Sequence, residues 1–341
     1  MQNKIICLGI ESTAHTLGVG IVESNGNILA NIRDSYIPPY GKGIHPAEAA
    51  RHHALKMKET IQKAVKQAGI KLKDVNLIAF AQGPGMGPCL RTGAVAARTL
   101  ALTLNKPLVG VNHLVAHIEL GKLVTGATDP VVLIVSGGTT ALAALTGDRY
   151  RILGETLDIA IGNCFDRFAR EVGLHDPKHP WPGPMFDEVA SKGTKYIELP
   201  YIVKGMDLSF SGLLTAALKK VKEGYKVEDV AYSLQETALA MITEVTERAL
   251  AHTGKNELLL TGGFARNMRL QNMLKTMVKD RDAKLHVTPP EYATDNGVMI
   301  AWLGILAYTH GITTKIEDSY VKQRWRIEEV EVKWIKEKQS K

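Results

Sequence analysis

His113-Leu114-Val115-Ala116-His117 places two imidazoles four residues apart. On a helix that spacing puts both on one face, about one turn apart, near enough for a single ion to take a nitrogen from each. A carboxylate brought in by the fold would complete a half-open site, and Asp295, in Asp295-Asn296-Gly297, is the candidate. Three protein ligands leave a coordination position for a substrate oxygen or water, which is how metal sites that do chemistry are built. The spacing alone also describes two ordinary, partly exposed helix histidines, so the rest of the chain has to decide. Metalloprotease chemistry is excluded. Leu114, Val115 and Ala116 cannot move a proton, whereas a zincin helix carries its glutamate base between the histidines.

Three strand ends carry glycine loops: Gln82-Gly-Pro-Gly-Met-Gly87, Val135-Ser-Gly-Gly-Thr-Thr140 and Leu260-Thr-Gly-Gly-Phe-Ala-Arg-Asn267. Glycine there lets backbone N–H groups approach phosphate oxygens, and a following helix N-terminus adds a favourable dipole. Any one of them can be a simple tight turn. Three in one chain, two of the same strand-Gly-Gly form, point to a nucleotide cleft. There is no Gly-Lys-Ser/Thr phosphate loop, no GxGxxG opening a βαβ unit and no GxSxG elbow.

The elements that must position these groups repeat along the chain. Residues 4–34 read as three strands, with Asn25-Gly26 as the hairpin turn between the second and third. A helix over 45–68, a strand over 76–81, a helix over 90–104, a strand over 107–111 and the His113/His117 helix follow. Three more strands open the second half, over 130–135, 141–145 and 150–156, the last two joined across Gly147-Asp148. Helices over 227–252, 265–279 and 295–309 then alternate with strands over 257–261 and 284–287. A meander followed by alternating helices and strands, twice over, predicts an α/β protein of two similar domains, 1–125 and 126–341, with ligands at the carboxyl ends of strands in a cleft. The second half also carries a Pro-rich loop and helical insertion over about 160–225. Between His175 and Pro184 four prolines in ten residues forbid regular structure. His175, Asp176 and His179 there make either a second metal cluster or solvated loop residues.

With 341 residues, 45% of them hydrophobic, the chain can bury one large or two medium cores, and two domains are expected. It has no apolar run of membrane-spanning length, and MQNKIICLGIES begins a strand rather than a signal segment, so a cytoplasmic, membrane-free setting is expected. Cys7, Cys89 and Cys164, an odd number without CxxC spacing, fit buried thiols in a reducing compartment. The net charge of +7 tilts weakly toward a polyanionic partner. In the basic tail, Tyr320, Trp325 and Trp334 lie among cations, a pattern that suits base stacking or a tail docked by its tryptophans.

Read together, Ile10-Glu-Ser-Thr-Ala-His-Thr16, Gly83-Pro-Gly-x-Gly-Pro-Cys-Leu-Arg91, His113-x-x-x-His117, Val135-Ser-Gly-Gly138, Gly162-Asn-Cys-Phe-Asp166, Gly205-Met-Asp-Leu-Ser-Phe-Ser-Gly212 and Thr294-Asp-Asn-Gly297 resemble the universal tRNA N6-adenosine threonylcarbamoyltransferase family. The forms of the first and sixth motifs are similar to its archaeal and eukaryotic branch, the catalytic subunit of the KEOPS complex. The resemblance implies two tandem actin-like domains (the ASKHA, ribonuclease-H-like fold) with a nucleotide cleft between them. It implies transfer of a threonylcarbamoyl group from threonylcarbamoyl-adenylate to N6 of the adenosine beside the anticodon in tRNAs reading ANN codons, with release of AMP. Carried over by motif, it implies that His113, His117 and Asp295 hold one divalent iron or zinc ion. Ser136, Gly137 and Gly138 would wrap the adenylate phosphate and Asp166, Gly183, Asp187 and Asn267 would bind its nucleoside end, with Ile134, Val135, Gly262 and Gly263 also in the donor site. An ATP- or AMP-type nucleotide can occupy the same cleft. The implied partners are tRNA and other KEOPS subunits, including a small atypical protein kinase and a dimerising subunit.

Some positions depart from the family pattern. Archaeal members usually read Tyr-Val-Ser-Gly-Gly-Asn, with the tyrosine as a further metal ligand, whereas this chain has Ile134 and Thr139 and so keeps three protein ligands. Asp187 stands where Glu is common. The donor is a mixed anhydride with its own leaving group, so the chemistry asks for charge stabilisation and orientation rather than a covalent nucleophile. Glu11 and His15, near the end of the first strand, are candidates to collect the amine proton, or else make strand-end hydrogen bonds. A small-molecule kinase of the same fold and a non-enzymatic nucleotide sensor are the rival readings. ADP formation marks the first, and absence of any product marks the second.

Overall fold

Residues 4–35 are rich in β-branched side chains and free of proline, and they form the expected meander: β1 (Ile6–Glu11), β2 (Thr16–Glu23) and β3 (Ile28–Ser35). This computed structural model describes residues 4–39, 42–174 and 183–335; the His175, Asp176 and His179 motif lies outside them. After the meander come α1 (Pro46–Gln67), β4 (Leu77–Gly83), α2 (Gly87–Leu104), β5 (Leu108–Asn112) and α3 (His113–Thr125). β4 joins β1 and β5 joins β4, both in parallel, giving the order β3-β2-β1-β4-β5.

The second series is β6 (Val131–Val135), β7 (Thr140–Thr146) and β8 (Arg149–Glu155), then α4 (Ile161–Glu171), α5 (Gly183–Ala190), the two-residue strands β9 (Val203–Lys204) and β10 (Asp207–Leu208), and α6 (Ser211–Lys222). It continues through α7 (Val227–Thr253), β11 (Glu257–Thr261), α8 (Met268–Asp280), β12 (Lys284–Val287), α9 (Pro290–Ala293) and α10 (Gly297–Thr309). Its sheet runs β8-β7-β6-β11-β12, the order of the first sheet over again. The expected duplication is therefore present strand for strand. α4 to α6 fall within residues 160–225.

Contacts divide the chain into two compact units, one of residues 1–124, 146–150 and 294–341, the other of 125–145 and 151–293. The sequence reading assigned 126–341 to the second domain; residues 294–335 pack with the first instead. The reason lies in α10. Its sequence, GVMIAWLGILAYT, is apolar on every face, and such a helix is stable only when buried all round. Met299, Ile300, Leu303 and Ile305 are at most 2% exposed, each contributing roughly 1.5–3 kcal/mol by burial.

The first sheet receives α10 on one face and α1 and α2 on the other. Strand alternation sorts the residues: Leu8 and Ile10 of β1 join the core beneath α1 and α2 with Phe80, Ala94 and Ala97, while Cys7 and Gly9 face α10. A Cβ on Gly9 would lie 2.2 Å from the Ala301 amide nitrogen, and one on Gly20 2.2 Å from that of Val298. Only glycine allows backbone to approach backbone so closely, so these positions seat α10 directly on β1 and β2.

In the second unit Val131, Leu133 and Val135 of β6 and Leu258 and Leu260 of β11 share a core with Phe165 and Phe168 of α4, Phe186 of α5 and the buried side of α7. Among the described residues no helix is long and apolar enough to cross a membrane.

Candidate metal centre and nucleotide site

β5 ends at Asn112 and α3 starts at once with His113, so the first imidazole sits on the first turn of the helix and the second one turn later. Asp295 lies two residues before the start of α10, with Asn296 between them as its N-cap, accepting from the Met299 amide at 3.0 Å. Both histidines aim Nε2 at the same atom: Asp295 Oδ1 lies 3.5 Å from His113 Nε2 and 3.2 Å from His117 Nε2. The rings meet edge to face with centroids 4.8 Å apart. One donor atom from each of the three residues falls within 4.8 Å of the others.

Behind His113 stands Glu11, fully buried. Its Oε2 is 2.9 Å from His113 Nδ1, and its Oε1 accepts from the Thr13 amide at 2.6 Å and the Thr13 hydroxyl at 2.5 Å. Glu11 therefore fixes the tautomer of His113, drawing the proton to Nδ1 and leaving Nε2 free as a ligand. It differs in this from the proton-collecting role considered for it, because both its oxygens are committed. His15 is half-buried, and its charge contributes to holding Asp295 in the ionised form.

Burial opposes charge on His113, but the carboxylates of Glu11 and Asp295 outweigh it and raise the imidazole to about 9. Burial likewise opposes ionisation of Asp295; the two histidines overcome it and hold the carboxyl well below its ordinary value. His117 Nδ1 is buried with no hydrogen-bond partner among the described residues. Two imidazoles and one carboxylate converging on a single volume, with a carboxylate behind one ring, fit a divalent zinc or iron ion.

The glycine loops of the second unit belong to a different set. β6 runs into Ser136, whose amide donates to the Thr139 carbonyl at 2.7 Å and whose hydroxyl accepts from the amides of Gly138 and Thr139 at 3.2 and 2.9 Å. A Cβ on Gly137 or Gly138 would meet nothing within 4 Å, so the loop faces open space that an oxyanion can enter. The N-terminus of α4 lies beside it, with the Gly162 amide donating to the Ser136 carbonyl at 3.3 Å. Ile134 is 1% exposed and contributes to the loop through backbone alone. At the end of β11, Gly262 has φ +94° and a Cβ there would sit 2.3 Å from the Val135 carbonyl, so glycine is obligatory.

Asn267 closes the turn after Gly263. Its Oδ1 caps α8 through the Leu270 amide at 2.8 Å, and its Nδ2 donates to Asp187 Oδ1 at 2.9 Å. Gln235 of α7 donates to the same oxygen, also at 2.9 Å. Asp166 meets Gly183, so the structure gathers Asp166, Gly183, Asp187 and Asn267 as expected and adds Gln235, which carries no sequence signal in the middle of a long helix. A cavity of about 460 Å³ opens here, lined in part by Asp187, Gly193, Tyr232, Gln235, Arg266 and Asn267. Burial lifts both Asp166 and Asp187 to about 6; for Asp187 the charge of Asp166 adds to this, while the two amide donors pull the other way.

The paired sheets of identical strand order, with glycine turns at their strand ends, define a two-domain protein of the actin-like ATPase fold. The same fold is seen in the HypF protein of T. kodakarensis (TM-score 0.64, 18% identity, over 89% of this chain and 48% of that one). It is seen too in the activator of 2-hydroxyisocaproyl-CoA dehydratase from Clostridium difficile (TM-score 0.53, 10% identity, 88% and 94%). Residues 27–302 match the profile of the tRNA N6-adenosine threonylcarbamoyltransferase family, and the chain belongs to that family. Curated relatives of that name include those of Thermococcus kodakarensis, 56% identical over 97% of this chain and 100% of the relative, and Caldivirga maquilingensis, 55% identical over 97% and 98%. A probable bifunctional tRNA threonylcarbamoyladenosine biosynthesis protein of Methanothermobacter thermautotrophicus is 54% identical over 98% of this chain and 62% of its own length.

Proposed function

We propose that this chain transfers the threonylcarbamoyl group of threonylcarbamoyl-adenylate to N6 of the adenosine beside the anticodon of tRNAs reading ANN codons, releasing AMP, with iron or zinc held by His113, His117 and Asp295. The observation that carries the metal assignment is the convergence of both Nε2 atoms on one Asp295 oxygen, with Glu11 behind His113. A divalent ion bound there supplies Lewis acidity toward a donor oxygen. Filling the site displaces the proton that Glu11 and Asp295 otherwise favour on His113, which makes retention fall with pH.

The chain's own groups do the rest. Asp187, held by Asn267 and Gln235 through one oxygen, offers its other oxygen to hydroxyls of the donor's nucleoside, and Asp166, beside Gly183, adds its charge nearby. Ser136, Gly137 and Gly138 take the phosphate, the Ser136 hydroxyl giving up the Gly138 and Thr139 amides to it. The N6 amine is a weak nucleophile, so holding it against the carbonyl supplies much of the rate. Other KEOPS subunits, among them a small atypical kinase and a dimerising subunit, act with it on tRNA in the cytoplasm. The longer, bifunctional relative, in which a second activity shares the polypeptide, supports a partnership of this kind.

The test is to incubate the chain with donor, candidate subunits and tRNA, then to measure AMP and the mass of tRNA nucleosides. Modified adenosine with AMP is expected. His113→Ala plus His117→Ala should abolish both modification and metal retention; normal modification by that variant would refute the metal assignment, and ADP as product would favour the kinase.

A further inference from the structure

The strongest unassigned feature lies at the joint between β5 and α3. A helix leaves its first four amides without intrahelical acceptors, and here the first turn carries a metal-facing imidazole. Asn112, 1% exposed, supplies the missing acceptor: its Oδ1 takes the Leu114 amide at 3.0 Å and the Val115 amide at 3.2 Å. Its Nδ2 donates to the carbonyl of Trp325 at 3.1 Å, 213 residues away in sequence.

Trp325 belongs to a segment after α10 that lies across the ends of β4 and β5. The Lys322 amide donates to the Gln82 carbonyl at 2.7 Å, and Gln82 Nε2 donates to the carbonyls of Asp318 and Tyr320 at 3.1 and 2.8 Å. The Thr314 amide bonds the Leu108 carbonyl at 2.7 Å, and the Thr314 hydroxyl accepts from the Gly110 amide at 2.9 Å. A Cβ on Gly83 would lie 1.8 Å from the Lys322 carbonyl oxygen, so backbone rests on backbone. The segment is a strap fixed at several points, and Asn112 joins it to the helix that carries both histidines.

We propose that Asn112 is a positioning residue for the metal centre: it ties the first turn of α3 to the strap at Trp325 and so sets where His113 and His117 stand against Asp295. This rests on the metal assignment made above. Loss of the side chain leaves two first-turn amides without their acceptor and releases α3 from the strap, so the donor atoms lose their common geometry while the fold persists.

Binding of Co²⁺, read from its visible absorption and by competition with a chelator, tests this on the full chain without reference to activity. Asn112→Ala should weaken Co²⁺ binding at least tenfold and alter the shape of the absorption band. Asn112→Asp keeps an oxygen for the two amides but cannot donate to Trp325, and should fall between parent and Asn112→Ala; it also provides a folded comparison should the alanine variant prove unstable. His113→Ala plus His117→Ala is the control. If that control still binds Co²⁺ as the parent does, the metal assignment fails. If the control loses Co²⁺ while Asn112→Ala, or Asn112→Asp alone, binds within twofold of the parent and with the same spectrum, the metal assignment stands and the role given to Asn112 and its strap is overturned.

Discussion

Replacing Gly9 by alanine tests whether the seating of α10 places the carboxylate of the candidate metal centre. The new Cβ would stand 2.2 Å from the Ala301 nitrogen and 2.4 Å from the Gly297 carbonyl oxygen, both backbone atoms that cannot rotate away. Ordinary contact begins near 3.4 Å, so α10 must retreat from β1 by about 1 Å. Asp295 lies two residues before the start of that helix, 3.2 Å from His117 Nε2, and moves with it. Metal–ligand distances tolerate only about 0.2 Å, so a shift of this size should weaken ion binding tenfold or more. Overpacking itself costs about 1–3 kcal/mol, and for a unit of this size each kcal/mol lowers Tm by roughly 2–4 °C. Gly138→Ala is the matched control: its Cβ meets nothing within 4 Å, so Tm and metal retention should hold while nucleotide binding weakens. Thermal melts, chelator competition for Zn²⁺ and nucleotide titration on parent and both variants read all three effects. A Gly9→Ala protein with unchanged Tm and unchanged retention would refute the claim that close backbone packing of α10 positions Asp295.

Two further outcomes follow from single side chains. Glu11→Ala strips the partner from His113 Nδ1 and from the Thr13 amide, and should cost about 10–100-fold in metal affinity, measured by the same chelator competition. Asp187→Asn keeps an oxygen for Asn267 and Gln235 but removes a half-buried charge. Because burial lifts the folded-state carboxyl from 3.8 to about 6, folding favours the protonated acid; that contribution is complete below pH 3.8 and is lost as pH rises through about 6. The substitution should therefore stabilise the protein by roughly 1–3 kcal/mol at pH 7.5 and by almost nothing at pH 4, read from urea midpoints at the two pH values.

Much of this architecture is written locally. The β-rich runs of residues 4–35, the Asn25-Gly26 turn and the meander of the second half are short-range patterns, and the strands formed within a residue or two of where the patterns place them. The His113/His117 pair is legible for the same reason, since four residues along a helix always return to the same face. α10 shows where local reading stops. Its sequence says that it must be buried, but not against which sheet, and it is Gly9, Gly18 and Gly20 of the first sheet, some three hundred residues earlier, that accept its backbone.

The sites divide along the same line. Sequence motifs marked the two histidines, Asp295, Asp187 and Asn267, while Gln235 and Asn112 acquire their roles from partners that periodicity cannot indicate. Glu11 reads as a strand-end acid until His113, 102 residues on, is folded against it. Local spacing determines which side chains share a helix face or a strand end because backbone geometry repeats every few residues. Which oxygen faces which imidazole across 178 residues, as Asp295 faces His117, depends on how helices and sheets pack, and that is decided only when the whole unit excludes water from its core.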